Sequence, residues 1–260
     1  MRFDLCFIVS LPIVKEASIT TLECFWGMLL VFVFVGFFIV GIMPVFSQPP
    51  TSGDWVVTGL ETVENRFITL EGNLTVSATG GLTLTDVVLA MDCSTDGEYA
   101  ITVEPGGSLR IVDSVVTSTN GYGFDFAAHG ASFEMIDSEL HSAGWGPEQE
   151  LGNADAIATG QRGLIISTDN ASLEGNTISQ NHVGVILTGS GITLSCNDII
   201  SNTVHGLYIQ EGTGNWVISN TIRHGGNASS PIRMHSATGN HIISNTLRSS
   251  IHRGIIETFE

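Results

Sequence analysis

Along most of the chain, short runs of Val, Ile, Leu and Thr alternate with Gly, Asn, Ser and Asp, and beyond residue 53 no stretch carries a helical period. Runs of this kind, bounded by turn formers, predict strands of three to five residues. The front of the chain differs. Phe25 to Phe46 contain no charged residue and are mostly Phe, Val, Leu, Ile, Met and Gly. As a helix this segment rises about 33 Å, enough to cross a hydrocarbon core of about 30 Å. Gln48-Pro49-Pro50-Thr51-Ser52-Gly53 then reads as a short extended linker.

The predicted strands repeat. A polar residue, one intervening residue and an aliphatic one recur as Asn176-Thr177-Ile178, Asn197-Asp198-Ile199, Asn220-Thr221-Ile222 and Asn245-Thr246-Leu247, at spacings of 21, 23 and 25. A second marker follows each: Gly184-Val185-Ile186-Leu187, Gly206-Leu207-Tyr208-Ile209, Pro231-Ile232-Arg233-Met234 and Gly254-Ile255-Ile256-Glu257. The pairs Val185/Leu187, Leu207/Ile209 and Ile232/Met234 share a strand face, and Arg233 between the last two argues that this face points inward. Gly163-Leu164-Ile165-Ile166 extends the series backwards by 21 residues. In the first half Asp86, Asp113 and Asp137 take the asparagine place, although Glu139 then holds the third aliphatic position. The step of 39 from Asp137 to Asn176 marks an insertion at about 141–162.

Repeats of this length, each with two or three short strands, are the signature of a β-solenoid. One rung cannot bury its inner face alone, whereas stacked rungs bury a continuous core. The defining leucines of leucine-rich repeats are absent. Asp86, Asp113, Asp137, Asn176, Asn197, Asn220 and Asn245 are expected to form an internal structural ladder, as amides do in cross-β stacks.

These repeats, above all Asn176-Thr177-Ile178-Ser179-Gln180-Asn181 through Gly184-Val185-Ile186-Leu187, resemble those of right-handed parallel β-helix repeat proteins, including NosD-like and pectate-lyase-like members. The resemblance spans about residues 66–260. It implies an all-β fold, a right-handed parallel β-helix (β-solenoid), here preceded by one N-terminal transmembrane or signal helix. The expected organisation is a cytoplasmic leader at 1–24, an anchor or uncleaved signal at 25–47, a linker and N-terminal cap at 48–65, and the β-helix at 66–260. The group spans copper-site maturation, carbohydrate-active enzymes and surface proteins, so the fold by itself selects no activity.

Charge narrows the choice. Acids outnumber bases 26 to 9, and beyond residue 47 there are 23 acids, seven arginines and no lysine. Such a body is not expected to bind nucleic acid or anionic lipid headgroups. No cofactor is firmly implied; Ca²⁺ is the ion this acidity would attract. Arg2 and Lys15 precede the apolar segment and no base follows until Arg66, which places the body outside the cell on a single-pass membrane anchor. Cleavage after Ser47 would release it as a secreted protein. Sequons at Asn73, Asn170 and Asn227 are candidate glycosylation sites. Cys93 and Cys196 stand several rungs apart, too far for a disulfide, and are expected as free, buried cysteines. The last residues fall inside a rung with no evident cap, so self-association through that end of the solenoid is expected.

Candidate chemistry concentrates in the insertion. Trp145 is a candidate sugar-stacking platform, and Glu148, Glu150, Asp155 and Arg162 complete the candidate ligand-binding set. A lyase or epimerase needs a base and a cationic cluster, and a glycosidase needs two opposed carboxylates; neither pattern stands out, and no catalytic residue is assigned. The eight histidines are scattered, with no His-x-His pair, so no metal site is expected. The resulting expectation is a non-catalytic β-helix protein at the cell exterior, binding glycans or surface proteins. The alternatives are a polysaccharide-active lyase or hydrolase and a NosD-like accessory protein in metal-site assembly.

Overall fold

The computed structural model describes residues 49–50, 52–146, 163–224, 230–248 and 254–258. The leader and the apolar segment lie outside them. Among the described residues all regular structure is strand, and no helix is long and apolar enough to cross a membrane. The strands build two parallel sheets, one of nine strands and one of fourteen. The larger sheet is folded. Its two eleven-residue strands, Leu60–Leu70 and Gly81–Met91, run through both arms, while later rungs contribute one short strand to each arm, as Ser108–Val112 and Val115–Ser118 do. Every pairing is parallel and joins one rung to the next, which makes the fold a parallel β-helix. Pairing begins at Trp55 against Leu74, so the stack already includes part of the segment expected as linker and cap.

Register places like residues over one another. Leu74, Ile101, Phe126, Leu164, Val185, Leu207 and Ile232 form one column of the nine-stranded sheet, and all are buried in the central core. Ile68, Leu89, Val116, Leu140, Ile178, Ile199 and Ile222 form a second on one arm. The expected inward pairs Val185/Leu187 and Leu207/Ile209 are core residues, and Met234 packs against them. On the opposite face of the same strands Ile165, Ile186 and Tyr208 form a smaller buried cluster with Val183 and Val204. Arg233 lies over the Tyr208 ring at 5.5 Å.

In the first half the repeat register differs by one residue from the expected one. Asp86, Asp113 and Asp137 do not stand in the ladder. They have φ of 53°, 48° and 46° and are exposed. They occupy the bend between the two arms, a place held later by Gly175, Cys196, Ser219 and Ser244, also at positive φ. Short polar residues and glycine tolerate the left-handed region that β-branched residues avoid, and this selects Asp there. The residue after the bend enters the ladder. Val87 N–H donates to Ser114 Oγ at 3.0 Å, Ser114 N–H to Ser138 Oγ at 3.0 Å, and Ser138 N–H to Asn176 Oδ1 at 2.9 Å. A shift of one residue exchanges the two faces of a strand, so Leu140 is inside and Glu139 outside, which accounts for the misplaced glutamate.

Beyond Ser138 the ladder is made of asparagine. Asn197 Oδ1 accepts both the backbone N–H and Nδ2 of Asn176 at 2.9 Å; Asn220 accepts likewise from Asn197, and Asn245 from Asn220. Each Nδ2 also donates to a carbonyl on the preceding rung, Met135, Leu173 and Leu194 in turn. Two further ladders line the other bends. Asn181 pairs with Asn202, and Asn215 N–H donates to Asn240 Oδ1. The signal for these is the second asparagine, five residues from a member of the first ladder in each repeat. The two body cysteines are free, but Cys196 is exposed: it holds a left-handed bend position and only Cys93 fills the core.

Candidate functional site

The connections between strands are unequal. Those leading from the nine-stranded sheet into the folded sheet span two to five residues, whereas on the return side Asp92–Tyr99, Thr119–Phe124 and the insertion after His141 are longer. The long loops therefore gather along one edge of the solenoid, as expected of loops that carry function on a rigid scaffold. Parallel backbone bonds continue the stack through them: Gly97 N–H to Gly123 O at 2.8 Å, Gly144 N–H to Phe124 O at 2.8 Å, and His182 N–H to Ala143 O at 3.0 Å.

A groove of about 220 Å³ opens along this edge, lined by Asp96, Ser142, Trp145, Gln180, His182 and Thr203 with glycines between them. Trp145 is partly buried, and glycine makes its seat. A Cβ at Gly97, where φ is +71°, would stand 2.5 Å from the indole ring, so no side chain fits beneath it. Asp96 Oδ1 accepts the Gly123 N–H at 2.7 Å, and Asp92 Oδ1 accepts from Asn120 Nδ2 at 3.0 Å and from the Thr119 hydroxyl. These bonds fix the lip of the groove.

Behind the indole sits Asp125, half-buried on the outer side of its strand. Burial pushes its carboxyl above the usual carboxylate range, and the Trp145 N–H draws it partly back. The two buried atoms, Trp145 Nε1 and Asp125 Oδ1, do not close a hydrogen bond of ordinary geometry.

Of the residues expected to bind ligand, Trp145 lies in the groove, while Glu148, Glu150, Asp155 and Arg162 lie outside the described residues. Asp96, Asp125, Ser142, Gln180 and the exposed Tyr122, which is flanked by two groove glycines, were not singled out by sequence. Nothing in their own rungs distinguishes them, and only stacking collects them. Among the sequons, the Asn73 side chain is engaged, its Nδ2 on Asp54 Oδ1 at 3.0 Å and its Oδ1 on the Ala100 N–H at 3.0 Å. Asn170 is exposed at a positive-φ turn, and Asn227 lies outside the described residues.

The family model described as periplasmic copper-binding protein (NosD) matches residues 149–259. This chain is a parallel β-helix repeat protein, NosD-like over those residues. Three solved structures of variants of the periplasmic alginate epimerase AlgG match it at 12–13% identity, covering 82% of this chain and 79% of theirs with a TM-score of 0.29. No curated protein matches the chain. Copper needs several soft or imidazole ligands converging on one point. Among the described residues no three His, Cys, Asp or Glu side chains come together to hold a metal ion. His205 Nδ1 lies 3.2 Å from Ser230 O, and His182 lines the groove instead. The described residues therefore do not fit a copper centre.

Proposed function

We propose that this protein is an exported, membrane-anchored β-helix that recognises glycans at the cell exterior without transforming them. The match to a periplasmic family supports export, and the uncharged Phe25–Phe46 segment supports anchoring. The observation that carries recognition is Trp145, seated on glycine at the mouth of a groove otherwise lined by hydroxyl, amide, imidazole and carboxylate groups. An aromatic ring beside a few convergent polar groups is the usual composition of a small-ligand site. Tyr122, 42% exposed on the adjoining loop, offers a second aromatic surface. Ca²⁺ would enter through the acidic residues of the lip and the insertion.

A glycan-array screen of the full chain in mild detergent, with and without Ca²⁺, tests this reading. Binding that Trp145→Ala abolishes while the circular dichroism spectrum is unchanged is the expected result. Turnover of a bound sugar would replace the non-catalytic reading with that of a polysaccharide-active enzyme, and absence of binding under both conditions would leave a protein partner as the better account.

A further inference from the structure

The charge around the groove narrows the class of sugar. Asp96 lines it, and Asp92 and Glu98 stand on the same loop. Among the described residues no arginine or lysine lines it; the titratable base among the lining residues is His182, which is buried. Asp96 uses Oδ1 on the Gly123 N–H and is exposed, so its second oxygen is directed to solvent or ligand. The face of the Trp145 ring attracts a cation through its quadrupole. Ser142, Gln180 and Thr203 supply neutral partners for hydroxyls. At about 220 Å³ the groove falls below the roughly 300–1,000 Å³ of a drug-sized site, which suits one sugar unit better than a bound polymer chain.

We propose that the groove takes an amino-sugar unit through its protonated amine, held between the Asp96 carboxylate and the Trp145 ring. The inference rests on the glycan-binding reading above. It excludes uronates, whose carboxylates would meet like charge on the lip, and it ranks N-acetylated sugars below their free amines, because acetylation removes the cation and leaves the ring hydroxyls.

Isothermal titration of the full chain with three tetramers tests it: β-1,4-linked glucosamine, its N-acetylated counterpart, and galacturonic acid. The pH is chosen mildly acidic, so that the amine is charged. The free amine is expected to bind at least about tenfold tighter than the acetylated form, a difference of about 1.4 kcal/mol, with the uronate weakest. Asp96→Asn keeps the acceptor for Gly123 and removes the charge. It should bring the amine and acetyl forms to near equality while acetyl binding stays unchanged. Equal binding of amine and acetyl forms by the unaltered protein, tightest binding of the uronate, or an amine preference that survives Asp96→Asn would each overturn the amine assignment and leave glycan binding standing. Binding of no tetramer would remove both.

Discussion

Asn197 is wholly buried, and its amide makes four hydrogen bonds to three residues: Oδ1 takes two donors from Asn176, and Nδ2 is shared between Asn220 Oδ1 and the Leu173 carbonyl. A buried hydrogen bond contributes about 1 kcal/mol net, and stranding its partner costs about 1–3 kcal/mol. Asn197→Ala should therefore destabilise by about 2–4 kcal/mol, read as a lower denaturation midpoint in urea. The bend residues obey a different rule, because they are exposed and only their backbone is constrained. Asp113→Gly should be nearly neutral, whereas Asp113→Val should cost about 1–2 kcal/mol for forcing a β-branched residue to positive φ. Asp125 carries a pH signature. Its folded pKa is raised by burial, so its stabilising contribution is complete below the unfolded carboxylate pKa of about 4 and is lost as pH rises through the raised folded value. Asp125→Asn should accordingly raise Tm at neutral pH and bring no gain at about pH 3, provided the Trp145 contact survives.

At the scale of a strand, face is decided by parity. Glu139 and Leu140 are neighbours with opposite fates: the first is exposed, 3.0 Å from His141 Nε2, and the second lies in the core. An exposed ion pair contributes about 0–1 kcal/mol, so Glu139→Lys should shift the urea midpoint little. Leu140→Lys buries an unpaired charge and should cost more than about 3 kcal/mol; the opposite order would refute the register. At the scale of a loop, Gly97→Val should displace the indole and shift tryptophan emission. Gly121→Ala, with open space where the methyl would stand, should not. The repeats were legible because Asn176, Asn197 and Asn220 recur at nearly constant spacing with an aliphatic two residues on. The slip in the first half was not, because Asp at a left-handed bend and Asn in a ladder look alike in sequence when an aliphatic residue stands two positions on, as after Asp86, Asp113 and Asn176.

Among the described residues the stack is quasi-one-dimensional, each strand pairing with those of the neighbouring rungs, so stability accumulates along the axis. The chain's formal net charge of −17 acts over longer distances than any single contact. Self-repulsion of exposed carboxylates is screened by salt within about 10 Å at 0.1 M, so Tm should rise as sodium chloride is raised from low ionic strength. A protein held together chiefly by surface ion pairs would show the reverse. Placement of all long connections on one edge has the same one-dimensional origin: a loop that leaves the stack at one rung lies directly over the loop of the next, and the groove is their common surface.

The sequence by itself determined the strand-rich class, the rung length, the asparagine ladder from Asn176 to Asn245 and the insertion after His141, because each is a periodicity or an interruption of one, and period is a one-dimensional property. Trp145 was also legible, as an aromatic residue in a long loop. Only the tertiary structure decided that Asp86, Asp113 and Asp137 turn the chain at the bend, that Cys196 is exposed, and that Asp96, Asp125 and Tyr122 gather near Trp145. Those outcomes depend on which residue stacks over which across some 20 to 40 positions, and a parallel pairing register is set by the packed faces of neighbouring rungs, which no single repeat contains.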